Sequence, residues 1–77
     1  MILYYMISKN KIKIRINGKK RVIKYNSTVN DLITKLKIPV NKVAIELNTK
    51  IIDKKKLKKI FLKPKDKIEI VHFIGGG

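Results

Sequence analysis

The sequence predicts an α+β domain in which one main helix and a short helical turn pack on a mixed sheet. Three observations carry this. Residues 11–16 (KIKIRI) alternate apolar and basic, and Asn17 and Gly18 close the run. The apolar spacing then becomes helical over residues 27–39. It returns to alternation in residues 42–48 and again in 68–73. A chain of 77 residues makes one small domain, here expected over 1–77, and buries about 60–65% of its unfolded surface.

The elements follow in order. Ile12, Ile14 and Ile16 share one face of the first strand, with Lys11, Lys13 and Arg15 on the other, the pattern of a half-buried strand. Asn17 and Gly18 both tolerate positive φ, so the pair marks a tight hairpin. Val22, Ile23 and Tyr25 are assigned to the return strand. Val29, Leu32, Ile33 and Leu36 then stand at i, i+3, i+4 and i+7, one helical stripe. Thr28 is placed as the N-cap, answered by Asp31 in a capping-box arrangement, and Pro39 is expected to end the helix.

In the second half, Val43, Ile45 and Leu47 alternate against Ala44 and Glu46, which predicts an inner strand. Asn48 and Thr49 turn the chain, and Ile51 and Ile52 begin a short strand. Asp53 caps a short helical turn whose inward residues are Leu57 and Ile60. Pro64 and Asp66 make a turn before the last strand. There Ile68, Ile70 and His72 share one face, and Glu69, Val71 and Phe73 the other. A hairpin, a crossover helix and four further elements in this order make the β-grasp (ubiquitin-like) arrangement, with the last strand inside the sheet.

The formal net charge of +15 points first to nucleic acid. The residue types point elsewhere. There are eighteen lysines against two arginines, with fifteen isoleucines and six asparagines, all abundant types written with A- and T-rich codons. Arginine is the residue of bidentate phosphate and guanine contacts, and it is nearly missing. We read the charge as compositional drift in an AT-rich genome, and the run of lysines in residues 54–59 as a solvated surface turn.

With no cysteine there is no disulfide, no thiolate metal site and no catalytic thiol. His72 is the one histidine, and the five acids are scattered, so no pair stands at acid–base or metal spacing. Residues 1–10 form an extra N-terminal segment, too briefly apolar for a signal peptide or membrane span, and Met6 is a second possible start. The chain is expected to be soluble and cytoplasmic, or stromal if encoded in a plastid.

The working feature is then the end, IGGG. Residues 74–77 span about 13–14 Å when extended. A glycine thread fits a channel that any Cβ would block. Its terminal carboxylate is a poor electrophile, but transfer of an adenylyl group from ATP makes a mixed anhydride that a sulfur nucleophile can attack. Residues 74–77 are therefore expected to be a flexible tail that carries an activated C-terminus into the active sites of other enzymes.

Residues 43–77, with VAIELN, KIEI and FIGGG, resemble the sulfur carriers of thiamine biosynthesis, the ThiS family, whose pattern runs VAVELNGEIV, DGDxIEI and FVGGG or FIGGG. IRINGKK and STVNDLITKL are similar to the family's opening hairpin and helix, so the likeness covers about residues 12–77. Thr49 and Lys65 stand where the family carries turn glycines, and the charge is more basic than usual.

The resemblance implies that Gly77 is adenylated by an E1-like, ThiF-type adenylyltransferase using ATP and magnesium. A cysteine desulfurase relay then supplies sulfur, giving a thiocarboxylate for a ThiG-type thiazole synthase. Gly76 and Gly75 would be the threading residues and Phe73 and Ile74 the apolar docking anchors. The chain itself would bind no cofactor or metal and catalyse nothing. The nearest alternative is another diglycine carrier, the small subunit of molybdopterin synthase or a tRNA-thiolation modifier. A basic nucleic-acid module ranks well below, and no membrane partner is expected.

Overall fold

Residues 10–73 are described by the computed structural model. In chain order they form β1 (Lys11–Ile16), β2 (Lys19–Lys24), α1 (Val29–Lys35), a 3-10 turn (Val40–Lys42), β3 (Val43–Leu47), β4 (Lys50–Ile51), a second 3-10 turn (Lys54–Lys56) and β5 (Lys67–His72). The strands make one sheet in the order β2-β1-β5-β3-β4. The last strand is therefore central, parallel to β1 and antiparallel to β3. This is the β-grasp arrangement. No helix among the described residues is long and apolar enough to cross a membrane.

Among the described residues one face of the sheet is covered and the other open. Ile12, Ile14, Ile16, Ile23, Val43, Ile45, Ile68 and Ile70 turn toward α1, which answers with Val29, Leu32 and Ile33. Nine of the fourteen buried apolar residues are isoleucine. Seven of these isoleucines lie on strands, where a β-branched side chain is at home. Leu57, Leu62 and Ile52 close the core from the segment after β4. Ile60 is only half buried there, so Leu62, unassigned from the sequence, is the larger contributor.

The capping box forms as expected. Thr28 Oγ1 accepts from the Asp31 N–H at 3.0 Å, and the Asp31 carboxylate accepts from the Thr28 N–H at 2.9 Å. The next free amides, Val29 and Asn30, donate to the carbonyls of Ile60 and Leu57. A late loop thereby satisfies the helix start, whose first N–H groups have no partner within the helix.

Three local expectations are corrected. Pro39 does not end α1. The helix stops at Leu36, and Lys37 (φ 57) leaves in the left-handed region. Lys37 N–H donates to Thr34 and Ile38 N–H to Ile33, a Schellman closure complete before the proline is reached. Tyr25 lies beyond β2 and is exposed, as is Val22, so Ile23 alone of the return strand enters the core. β4 is Lys50–Ile51. Ile52 is buried just past it, its N–H donating to Ile45.

Candidate functional site: the root of the C-terminal tail

β5 is held from both flanks by the two hairpins. In each, two residues at positive φ close the turn: Asn17 (φ 49) with Gly18 (φ 80), and Asn48 (φ 51) with Thr49 (φ 75). Two-residue hairpins favour this backbone, and Asn and Gly supply it most readily. Both asparagines then reach across to β5. The Asn17 carboxamide pairs with the backbone of Ile70. Asn48 Oδ1 accepts from the Lys67 N–H at 2.9 Å, and Asn48 Nδ2 donates to Asp66 Oδ1 at 2.9 Å. The Asn of the ELN motif therefore ties the β3–β4 turn to the start of the last strand. Periodicity marks these positions as turns but carries no sign of what they clamp.

At the other end of β5 the ladder runs one residue past the strand. His72 stands opposite Val43, and the Phe73 N–H donates to the Lys42 carbonyl at 2.9 Å. Phe73 is 49% exposed, with Lys54 Nζ 5.2 Å from its ring centroid. Val71, two residues back on the same face and 53% exposed, completes a small apolar patch beside Ala44. Alternation along β5 already groups Val71 with Phe73. Nothing in the sequence points to Lys54.

Of the residues singled out for function, Phe73 is seen at the root of the tail. Ile74, Gly75, Gly76 and Gly77 lie outside the described residues. His72 is exposed at the strand end. Among the described residues no three metal-ligating side chains gather. Three of the five acids serve local structure: Asp31 and Asp53 cap helical turns, and Asp66 accepts from the Lys63 N–H. What the described body offers is a rigid base and a defined exit for the chain.

The model of the ThiS family matches residues 11–77, which takes in both clamps, the exit strand and the tail. The chain belongs to the ThiS family. It is similar to the sulfur carrier protein ThiS of Bacillus subtilis, 37% identical over 65 residues, covering 83% of this chain and 98% of that one. Two thiazole synthases also match: that of Paramagnetospirillum magneticum at 39% over 66 residues and that of Magnetococcus marinus at 35%. The chain covers 20% of the length of each, so the likeness is to one part of those proteins. The crystal structure of the thiamine biosynthesis protein ThiS from Geobacter metallireducens superposes with a TM-score of 0.76 at 26% identity, covering 86% of this chain and all of that one.

Against the ThiS pattern, the two replaced turn glycines now have a location. Thr49 sits at φ 75 and Lys65 at φ 71, both in the left-handed region that glycine occupies freely. The chain takes this backbone there with residues that do not favour it.

Proposed function

We propose that this chain is a sulfur carrier whose terminal glycine, Gly77, is adenylated and converted to a thiocarboxylate that donates sulfur for thiazole formation in thiamine biosynthesis. The observation that carries this reading is the exit of the chain. Its central strand is clamped by Asn17 and Asn48 and pinned at Phe73, so whatever follows starts from a fixed point at the sheet's end.

The division of labour follows from the chemistry. ATP and magnesium belong to a ThiF-type activating enzyme, whose adenylyl transfer turns the unreactive carboxylate into a mixed anhydride with AMP as leaving group. A cysteine desulfurase relay supplies the sulfur, and a ThiG-type thiazole synthase receives it. Gly76 and Gly75 keep the thread narrow, since a Cβ would widen it. Phe73 and Val71 offer the apolar surface that seats on a partner, with Ile74 as the next anchor. The carrier itself is not an enzyme and holds no cofactor. It works in the cytoplasm, or in the stroma if encoded in a plastid.

Intact-protein mass spectrometry tests this directly. After incubation with a ThiF-type enzyme, ATP, magnesium and a sulfur source, the expected product has one terminal oxygen replaced by sulfur. An unchanged mass with active enzyme in excess would refute the carrier reading.

A further inference from the structure

The open face of the sheet is divided by charge. Register places Lys20 of β2 opposite Arg15 of β1, and Arg15 beside Lys67 of β5, so three cations stand in one row across three neighbouring strands. Lys11 faces Lys24 in the same way, with Lys13 between the two rows. All six are exposed, and β1 and β2 contain no acid. Strands lie about 4.8 Å apart, and like charges directly opposite are destabilising. The fold nevertheless keeps them in register.

Two acids share the open face. Glu69 lies two residues from Lys67 on β5, lines one surface cleft with Arg15 and Lys67, and faces Glu46 of β3. Acid therefore meets the row at its β5 end, and none stands on β1 or β2. The β5–β3 half of the face also carries Val71 and Phe73 at the tail root. The open face is thus basic under the β1–β2 hairpin, and apolar with two glutamates toward the exit.

We infer that the open face of β1 and β2, together with Lys67, is an electrostatic docking surface for an acidic protein face on the ThiF-type enzyme that takes the tail. This rests on the carrier reading above. Two features favour a protein over a nucleic acid. The cation row shares one sheet face with the apolar patch around Val71 and Phe73, with Glu69 between Lys67 and Val71 on β5. The described residues of the basic half bear no aromatic side chain on which a base could stack. An acidic partner surface relieves the repulsion among the row and raises the encounter rate, an effect that salt screens away. Compositional drift explains why lysine is abundant; register places six cations together on one half of a face.

Binding and turnover should both be measured with the full-length carrier and the ThiF-type enzyme of the same genome. The patch variant carries Lys13→Glu, Arg15→Glu and Lys20→Glu. A control with the same change in net charge carries Lys58→Glu, Lys59→Glu and Lys63→Glu, all exposed and after β4. Far-UV circular dichroism checks that both fold. The patch variant is expected to bind roughly 10- to 100-fold more weakly at low salt, with KM for the carrier raised in step and kcat held. Wild type should weaken as salt rises, and the patch variant should hardly respond.

Equal losses in patch and control, or salt-insensitive binding of wild type, would overturn the docking surface even if thiocarboxylate forms. Tighter binding of a labelled single-stranded RNA than of the enzyme, lost in the patch variant, would overturn it in favour of nucleic acid. Salt-sensitive, patch-dependent binding without any thiocarboxylate at saturating enzyme would support the surface and sink the carrier reading instead.

Discussion

Asn17 pairs its side-chain amide with the backbone of Ile70, the N–H of Ile70 donating to Oδ1 at 2.7 Å and Nδ2 donating to the carbonyl at 3.3 Å. A side chain thus serves as one more rung of the sheet. It prolongs the β1–β5 pairing where β1 has already turned away, and it fixes β5 against the hairpin near the point where the chain departs.

Two roles meet at this residue, and substitution separates them. Asn17→Gly keeps the positive φ, loses the two bonds at about 1–2 kcal/mol and adds about 0.5–1 kcal/mol of chain entropy. Asn17→Ala loses the same bonds and exchanges that entropy term for the larger left-handed penalty, about 1–2 kcal/mol. Urea midpoints should fall in that order. Equal midpoints for the two variants would show that the left-handed penalty does not exceed the entropy term.

Thr49 and Lys65 offer the opposite experiment. Glycine relieves about 1–2 kcal/mol of left-handed strain and returns about 0.5–1 kcal/mol in lost chain entropy. Thr49→Gly and Lys65→Gly should each therefore stabilise, by up to about 1 kcal/mol. The gain should be larger at Thr49, because a branched Cβ tolerates this region least. Thermal midpoints decide it, and a fall in both would remove strain as the cost of departing from the family pattern.

The capping box gives a cleaner loss. Thr28→Ala and Asp31→Ala each break one of two reciprocal bonds at the start of α1. Each single change is expected to cost about 1 kcal/mol. The double variant should cost less than their sum, since the two bonds support one turn. Additive losses in chemical denaturation would mean that the two act independently.

How far the fold is legible in the sequence follows from the range of the forces involved. The hairpin and the helix stripe rest on local alternation and turn chemistry and the inside position of β5 on the order of the elements, and these read correctly from Ile12, Asn17, Leu32 and Ile70. The end of α1 misleads because Pro39 is a conspicuous breaker, while the actual stop is a left-handed lysine with no sequence mark. Tyr25 misleads in its side chain alone, which is exposed just past β2, while its N–H still donates to the Asn10 carbonyl at 2.8 Å. Contacts such as Asn17 with Ile70, Asn48 with Lys67 and Lys54 with Phe73 join residues brought together only by the finished topology. At the tail root, Phe73 is legible by its place after β5, and Lys54 is not.

Phe73 is exposed, so Phe73→Ala should leave the thermal midpoint nearly unchanged, within about 0.5 kcal/mol. Its expected effect falls on the partner. KM for the carrier in adenylation should rise about tenfold or more if the ring is a central anchor. Lys54→Met, which removes the charge above the ring and keeps the stem, removes an interaction of about 0.5–1 kcal/mol and should shift KM far less. A destabilised Phe73→Ala with unchanged KM would make the ring structural rather than a docking contact.

The last test bears on the glycines themselves. Gly76→Ala adds a single methyl group next to Gly77, the residue proposed to react, and it lies three residues beyond the last described position, Phe73. The contacts within residues 10–73 are made without it, so circular dichroism and the urea midpoint should match wild type. Adenylation should nevertheless be abolished, because a channel narrow enough to admit only backbone has no room for a Cβ. A one-residue extension after Gly77 should abolish it too, by moving the carboxylate past the point where ATP is attacked. Pyrophosphate release and intact mass report both. Thiocarboxylate on either variant would mean that the activating enzyme does not read a side-chain-free tip of fixed length.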